Sequence, residues 1–98
     1  MSLPVVYRPE ARDDIDDTYS RYERQRLGLG DRCLEALRER VDEIQVQPAL
    51  YGLLHKDIRA ATLRHFPHVV YYRVEVAWIL VIAVQHGRRS SRNWKGRA

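Results

Sequence analysis

The sequence predicts an α+β fold: an N-terminal strand, an antiparallel helical hairpin, then a three-stranded antiparallel meander. Three observations carry this expectation. Apolar residues between Pro9 and Pro48 recur at steps of three and four. After Pro48 the pattern changes to runs of β-branched and aromatic residues. The connections between those runs are too short for helical crossovers, so the strands must return antiparallel.

Val5, Val6 and Tyr7 form a short apolar run, read as a brief strand. Pro9 suits the first turn of a helix, where its missing N–H has no partner to lose. Ala11, Ile15, Tyr19 and Tyr22 then share one helical stripe. Asp13, Asp14, Asp16 and Asp17 lie toward the start of this helix and Arg21, Arg24 and Arg26 toward its end, which complements the helix dipole. The four aspartates read as a solvated face. Gly28-Leu29-Gly30 breaks the pattern, and Asp31 is expected to cap a second helix. Leu34, Leu37, Val41 and Ile44 form its apolar stripe, and Pro48 ends it. Two such helices joined by a short turn should pack as a hairpin.

Leu50-Tyr51-Gly52-Leu53-Leu54 reads as an irregular connection. Ile58 to Phe66 is a strand of weak pattern, followed by a Pro67-His68 turn. Val69 to Glu75 is a clear strand. Trp78 to Val84 is apolar enough to be buried on both faces. The helices are expected to cover one face of the sheet. Gly87 ends the last strand and leaves residues 88–98 as a basic tail.

Ninety-eight residues are room for one domain, 1–98, burying roughly 60–65% of its unfolded surface. Apolar residues at 45% and charged ones at 31% exclude the disordered and membrane-embedded classes. No apolar run approaches the ~18 residues of a membrane span. The opening Met-Ser-Leu-Pro-Val-Val-Tyr-Arg lacks the apolar core of a signal peptide, so a cytoplasmic location is expected. The single cysteine, Cys33, leaves no internal disulfide and reads as a buried structural thiol. Neither metal nor cofactor is expected. Pro67 between His65 and His68 excludes a helical ligand pair, and Gly28 and Gly30 lack the spacing of a phosphate loop.

Charge is distributed unevenly. Residues 1–54 hold eight basic and eleven acidic side chains, whereas residues 55–98 hold nine basic and two acidic ones. Arg88, Arg89, Arg92, Lys95 and Arg97 follow the last acid, Glu75. Arginines suit bidentate pairing with phosphates or carboxylates. The core fixes where this segment begins, because it follows a buried strand directly. A tail serving solubility alone has little use for Trp94. Arg88, Arg89, Arg92 and Trp94 are therefore the candidate target-binding residues, by ion pairing and by stacking of the indole. Arg64 and Arg73 are expected to project toward the same region.

The chain resembles the RelE/ParE superfamily of type II toxin–antitoxin toxins, often labelled plasmid stabilisation proteins. The resemblance rests on Val-Val-Tyr-Arg-Pro-Glu-Ala-Arg-Asp-Asp-Ile at 5–15, Leu-Arg-His-Phe-Pro-His-Val-Val-Tyr-Tyr-Arg-Val at 63–74, and Val-Ile-Ala-Val-Gln-His-Gly-Arg-Arg at 81–89. It implies a bacterial toxin held by a cognate antitoxin in a hetero-oligomer. RelE-like members cleave ribosome-bound mRNA, whereas ParE-like members poison DNA gyrase as protein ligands. Where RelE-like toxins carry an arginine early in the middle meander strand, this sequence has Val69. Where they carry a C-terminal tyrosine, it has Lys95 beside Trp94. Arg89 matches a phosphate-binding arginine, and His86 is the nearby residue type that titrates near neutrality. That thin constellation, with the His-Gly-Arg-Arg ending, points to a ParE-like gyrase inhibitor without chemistry of its own. The alternatives are a ribosome-dependent mRNA endoribonuclease using His86 and Arg89, and an inactive antitoxin-binding module.

Overall fold

A computed structural model describes residues 2–97. The elements in chain order are β1 (Val5–Tyr7), α1 (Pro9–Gln25), α2 (Leu29–Val46), a 3₁₀ turn (Pro48–Leu50), β2 (Leu53–His55), β3 (Ile58–Thr62), β4 (His68–Val74), β5 (Ile79–His86) and α3 (Arg92–Lys95). They form one sheet in the order β1-β5-β4-β3-β2, with β1 parallel to β5 and the other pairs antiparallel. The α+β class is as expected, with a strand, two helices and the β3-β4-β5 meander. Among the described residues, no helix is long and apolar enough to cross a membrane.

The apolar stripes of α1 and α2 lie on one face of the sheet. Ala11, Cys33, Leu37, Val41 and Ile44 meet Val70, Tyr72, Ile79, Val81 and Val84 there. The start of α2 differs from expectation. Asp31 lies inside the first turn, and Gly28, left-handed at φ 90°, precedes the helix. Gly28 stands at the cap position and has no side chain to cap the helix with. Glu23 of α1 reaches across instead, and its carboxylate accepts the N–H groups of Gly28 at 3.0 Å and Gly30 at 2.8 Å.

Residues 50–54 are not wholly irregular. Leu53–His55 adds a fifth strand, paired to β3 through the Lys56-Asp57 turn. Leu53 and Leu54 are both largely exposed, so no alternation announces the strand. Contacts remote in sequence hold the region. The Tyr72 hydroxyl donates to the Pro48 carbonyl at 2.6 Å, and the Arg59 guanidinium donates to the Tyr51 carbonyl at 2.6 Å. The first meander strand stops at Thr62, short of Phe66, and Leu63 N–H bonds the His68 carbonyl to close the hairpin. His68 is thus the first residue of β4, and β5 runs two residues past Val84.

A bulge opposite Tyr71 and Tyr72 turns Ile82 and Ala83 together onto the outer face, away from the helices. The segment expected to be a basic tail covers part of that face. Residues 92–95 form α3, and Trp94 packs with Ile58, Tyr71, Ile82 and Ala83. Ala98, the last residue of that expected tail, and Met1 lie outside the described residues.

Candidate functional site

The site is built at the exit of β5. His86 sits opposite His68 in the ladder, and the next residue, Gly87, donates its N–H to the Pro67 carbonyl at 2.8 Å. A Cβ at Gly87 would meet that carbonyl oxygen and Val69 at 3.4 Å, an ordinary contact distance. The chain then turns. Arg89 N–H bonds the His86 carbonyl at 3.0 Å, and Arg88 N–H bonds the His86 Nδ1 at 3.0 Å. In neutral His86 the ring proton is therefore on Nε2. Arg88 and Arg89 are exposed on this braced turn, and neither pairs with an acidic side chain among the described residues.

β1 pairs with β5 only as far as Val81, where Arg8 N–H takes the last strand carbonyl. The next edge groups of β5, the Ile82 carbonyl and the Val84 N–H, have no strand beside them. Side chains take their place. Asp14 accepts the Val84 N–H at 3.1 Å, and Arg97 donates to the Ile82 carbonyl at 3.2 Å. Arg97 and Asp14 also pair with each other through two bonds, at 2.7 and 3.2 Å. Asp14 is thus buried and does not belong to a solvated acidic face. Sequence reasoning missed this pair, although Asp14 follows Ala11 by three and precedes Thr18 by four, at the border of the buried stripe.

The free indole expected at Trp94 is absent. Its ring is 3% exposed and stacks on Tyr71 at 4.5 Å, with Lys95 Nζ 5.7 Å from its centre. Trp94 anchors the segment and offers no surface to a base. Arg92 and Lys95 remain exposed on α3. Neither Arg64 nor Arg73 lines the pocket at the β5 exit, and Arg64, on the β3–β4 loop at this end, is held toward α2. Arg64 pairs with Glu43 of α2 at 3.3 Å, and Arg73 pairs with Glu75. Arg73 stands opposite Leu80, five residues and about 17 Å along the strand from the His68–His86 end.

Between α1 and the end of β5 lies a pocket of about 40 Å³, lined by Asp17, Arg21, His68, Gln85, His86 and Arg89 among others. His68 is buried against Tyr22 and His86. Its pKa is pushed down to about 4 by desolvation first, then by His86 and Arg21. A histidine held neutral in this way is no proton donor at neutral pH. His86 is then the single imidazole here open to a ligand, beside two guanidinium groups that can hold an anion. Among the described residues, no group of three His, Cys, Asp or Glu side chains is placed to hold a metal ion.

Residues 5–91 match the family model of the ParE toxin of the type II toxin-antitoxin system parDE. The fold is similar to a chain of the chromosomal ParDE TA system from P. aeruginosa, with a TM-score of 0.76 at 19% identity, covering 87% of this chain and 96% of that one. It is also similar to a mutant of the E. coli toxin RelE in the free state, with a TM-score of 0.71 at 17% identity, covering 99% and 98%. No curated protein sequence matches the chain.

Proposed function

Since the chain belongs to the ParE toxin family of type II toxin-antitoxin systems, we propose that it inhibits DNA gyrase in the cytoplasm by protein contact and that a cognate antitoxin neutralises it. Arg88, Arg89 and Arg92 make the target contact. The observation that carries this reading is the exposure of Arg88 and Arg89, free of acidic side-chain partners among the described residues, on a turn braced at both its carbonyl and its imidazole. Such preorganisation lowers the ordering entropy lost on binding. Phosphodiester cleavage, in contrast, needs a base and an acid. Buried His68 leaves His86 to do both.

The antitoxin contribution fits an acidic segment that orders as it binds. In a supercoiling assay the purified chain should block gyrase, and Arg88→Glu with Arg89→Glu should relieve the block. Full supercoiling at high excess of the unsubstituted chain removes the gyrase reading. The endoribonuclease alternative draws on His86 and Arg89 lining one pocket. It requires discrete cuts in translating mRNA by primer extension, lost in His86→Ala.

A further inference from the structure

Folding gathers at one end of the molecule three segments that are distant in sequence. They are the α1–α2 turn, the loop between β3 and β4, and the exit of β5. Tyr22 of α1 touches Phe66 and His68, and His68 touches His86. Arg21 and Arg89 line one pocket, and Arg32 and Arg64 line another of about 360 Å³ on the α2 side.

This end is cationic well beyond the C-terminal segment. Arg21, Arg24, Arg26, Arg32, Arg88 and Arg89 are all exposed, and none is ion-paired among the described residues. The acids nearby do little to offset them. Glu23 is turned inward onto the backbone N–H groups of Gly28 and Gly30, and Glu35 pairs with Arg38. Asp17, Asp31 and Glu39 are the exposed, unpaired carboxylates among the arginines, fewer than the six guanidinium groups.

The surface lacks what two other polyanions would need. A single strand is held by bases stacked on accessible aromatic rings. Here Trp94 is buried, Tyr22 and Phe66 pack edge-on against each other, exposed Trp78 belongs to the hairpin at the far end, and the exposed His65 imidazole is a single ring that cannot stack successive bases. An amphipathic acidic peptide needs an apolar strip, and Leu27 is the one largely exposed apolar side chain on the helical turn. Spaced guanidinium groups without a stacking platform match the regular phosphates of a duplex.

We propose that this end of the molecule binds the phosphate backbone of duplex DNA without regard to sequence. The surface extends beyond the residues assigned to gyrase, and the proposal stands apart from that reading. A chain that blocks gyrase without binding a free duplex would remove this proposal alone.

The test is fluorescence anisotropy of the purified chain with labelled duplexes of two unrelated sequences, across about 50 to 200 mM salt. Both duplexes should bind alike, with an affinity falling steeply as salt rises. Arg24→Gln with Arg26→Gln and Arg32→Gln, checked for folding by near-ultraviolet circular dichroism, should weaken binding about tenfold or more and flatten the salt slope by roughly 2 to 3. The proposal is overturned by any of four results: no binding at the lowest salt, an unchanged affinity in the triple variant, a single strand bound as tightly as the duplex, or poly-glutamate competing as well as unlabelled duplex.

Discussion

His68 lies buried beside Tyr22 and His86, in a pocket that Asp17 and Arg21 also line. Its pKa is near 4 in the folded chain, against 6.5 for an ordinary histidine. The unfolded chain therefore takes up this proton first as pH falls. Above about pH 6.5 the group is neutral in both states and contributes nothing. Between 6.5 and 4 stability drains away, by at most about 3 kcal/mol once the pH is below both values. Urea unfolding at about pH 7 and pH 4.5 should show the unsubstituted chain losing more stability than His68→Gln. Equal losses would mean that His68 is not the cause. Cys33 makes a second residue-scale prediction. Burial pushes its thiol up to about 11, so a thiol reagent at mildly alkaline pH should label it only as fast as the chain unfolds. Labelling at the rate of a free peptide thiol would contradict the burial. The thiol was legible as structural in the sequence, because Cys33 borders the apolar stripe of α2. The state of His68 was not legible, since it depends on rings brought in from α1 and β5.

Among the elements, the helical hairpin depends most on one close approach. A Cβ at Gly30 would sit 2.7 Å from the Tyr19 carbonyl oxygen and 2.7 Å from Glu23 Cγ. Alanine is the better helix former by about 1 kcal/mol. Overpacking against a backbone oxygen that cannot rotate away outweighs this, at about 1 to 3 kcal/mol, and also disturbs the Glu23 cap. Gly30→Ala should therefore lower the urea midpoint. Gly52→Ala, where a Cβ meets nothing within 4 Å, should leave it nearly unchanged. Equal midpoints would show that the helices can part without loss. Both helices and the meander were readable from period and propensity. β2 and the Glu23 cap were not, because each depends on a partner outside its own segment.

At the scale of the whole molecule, residues 88–97 act as a strap. Trp94 covers the outer face, and Arg97 closes the open edge of β5 with Asp14. Trp94→Ala should destabilise the chain by about 3 to 5 kcal/mol. Arg97→Ala should cost about 3 kcal/mol, because it leaves the Asp14 carboxylate buried without its cation. Unfolding curves matching the unsubstituted chain would show that the segment is a loose appendage. The strap also decides which cations remain for a partner, since it uses Arg97 and leaves Arg88, Arg89, Arg92 and Lys95 outside. The amino-acid order alone determined the helical periods, the stop at Pro48, the β-rich second half and the basic C-terminus, since each reflects neighbours within a few positions. Only the tertiary structure decided that Trp94 faces inward, that Asp14 answers Arg97 across 83 residues, and that Arg21 and Arg89 share a pocket. The Asp14–Arg97 contact answers buried polar groups on the strand edge left open beyond β1, and Trp94 answers apolar area on the outer face, demands that no local pattern expresses.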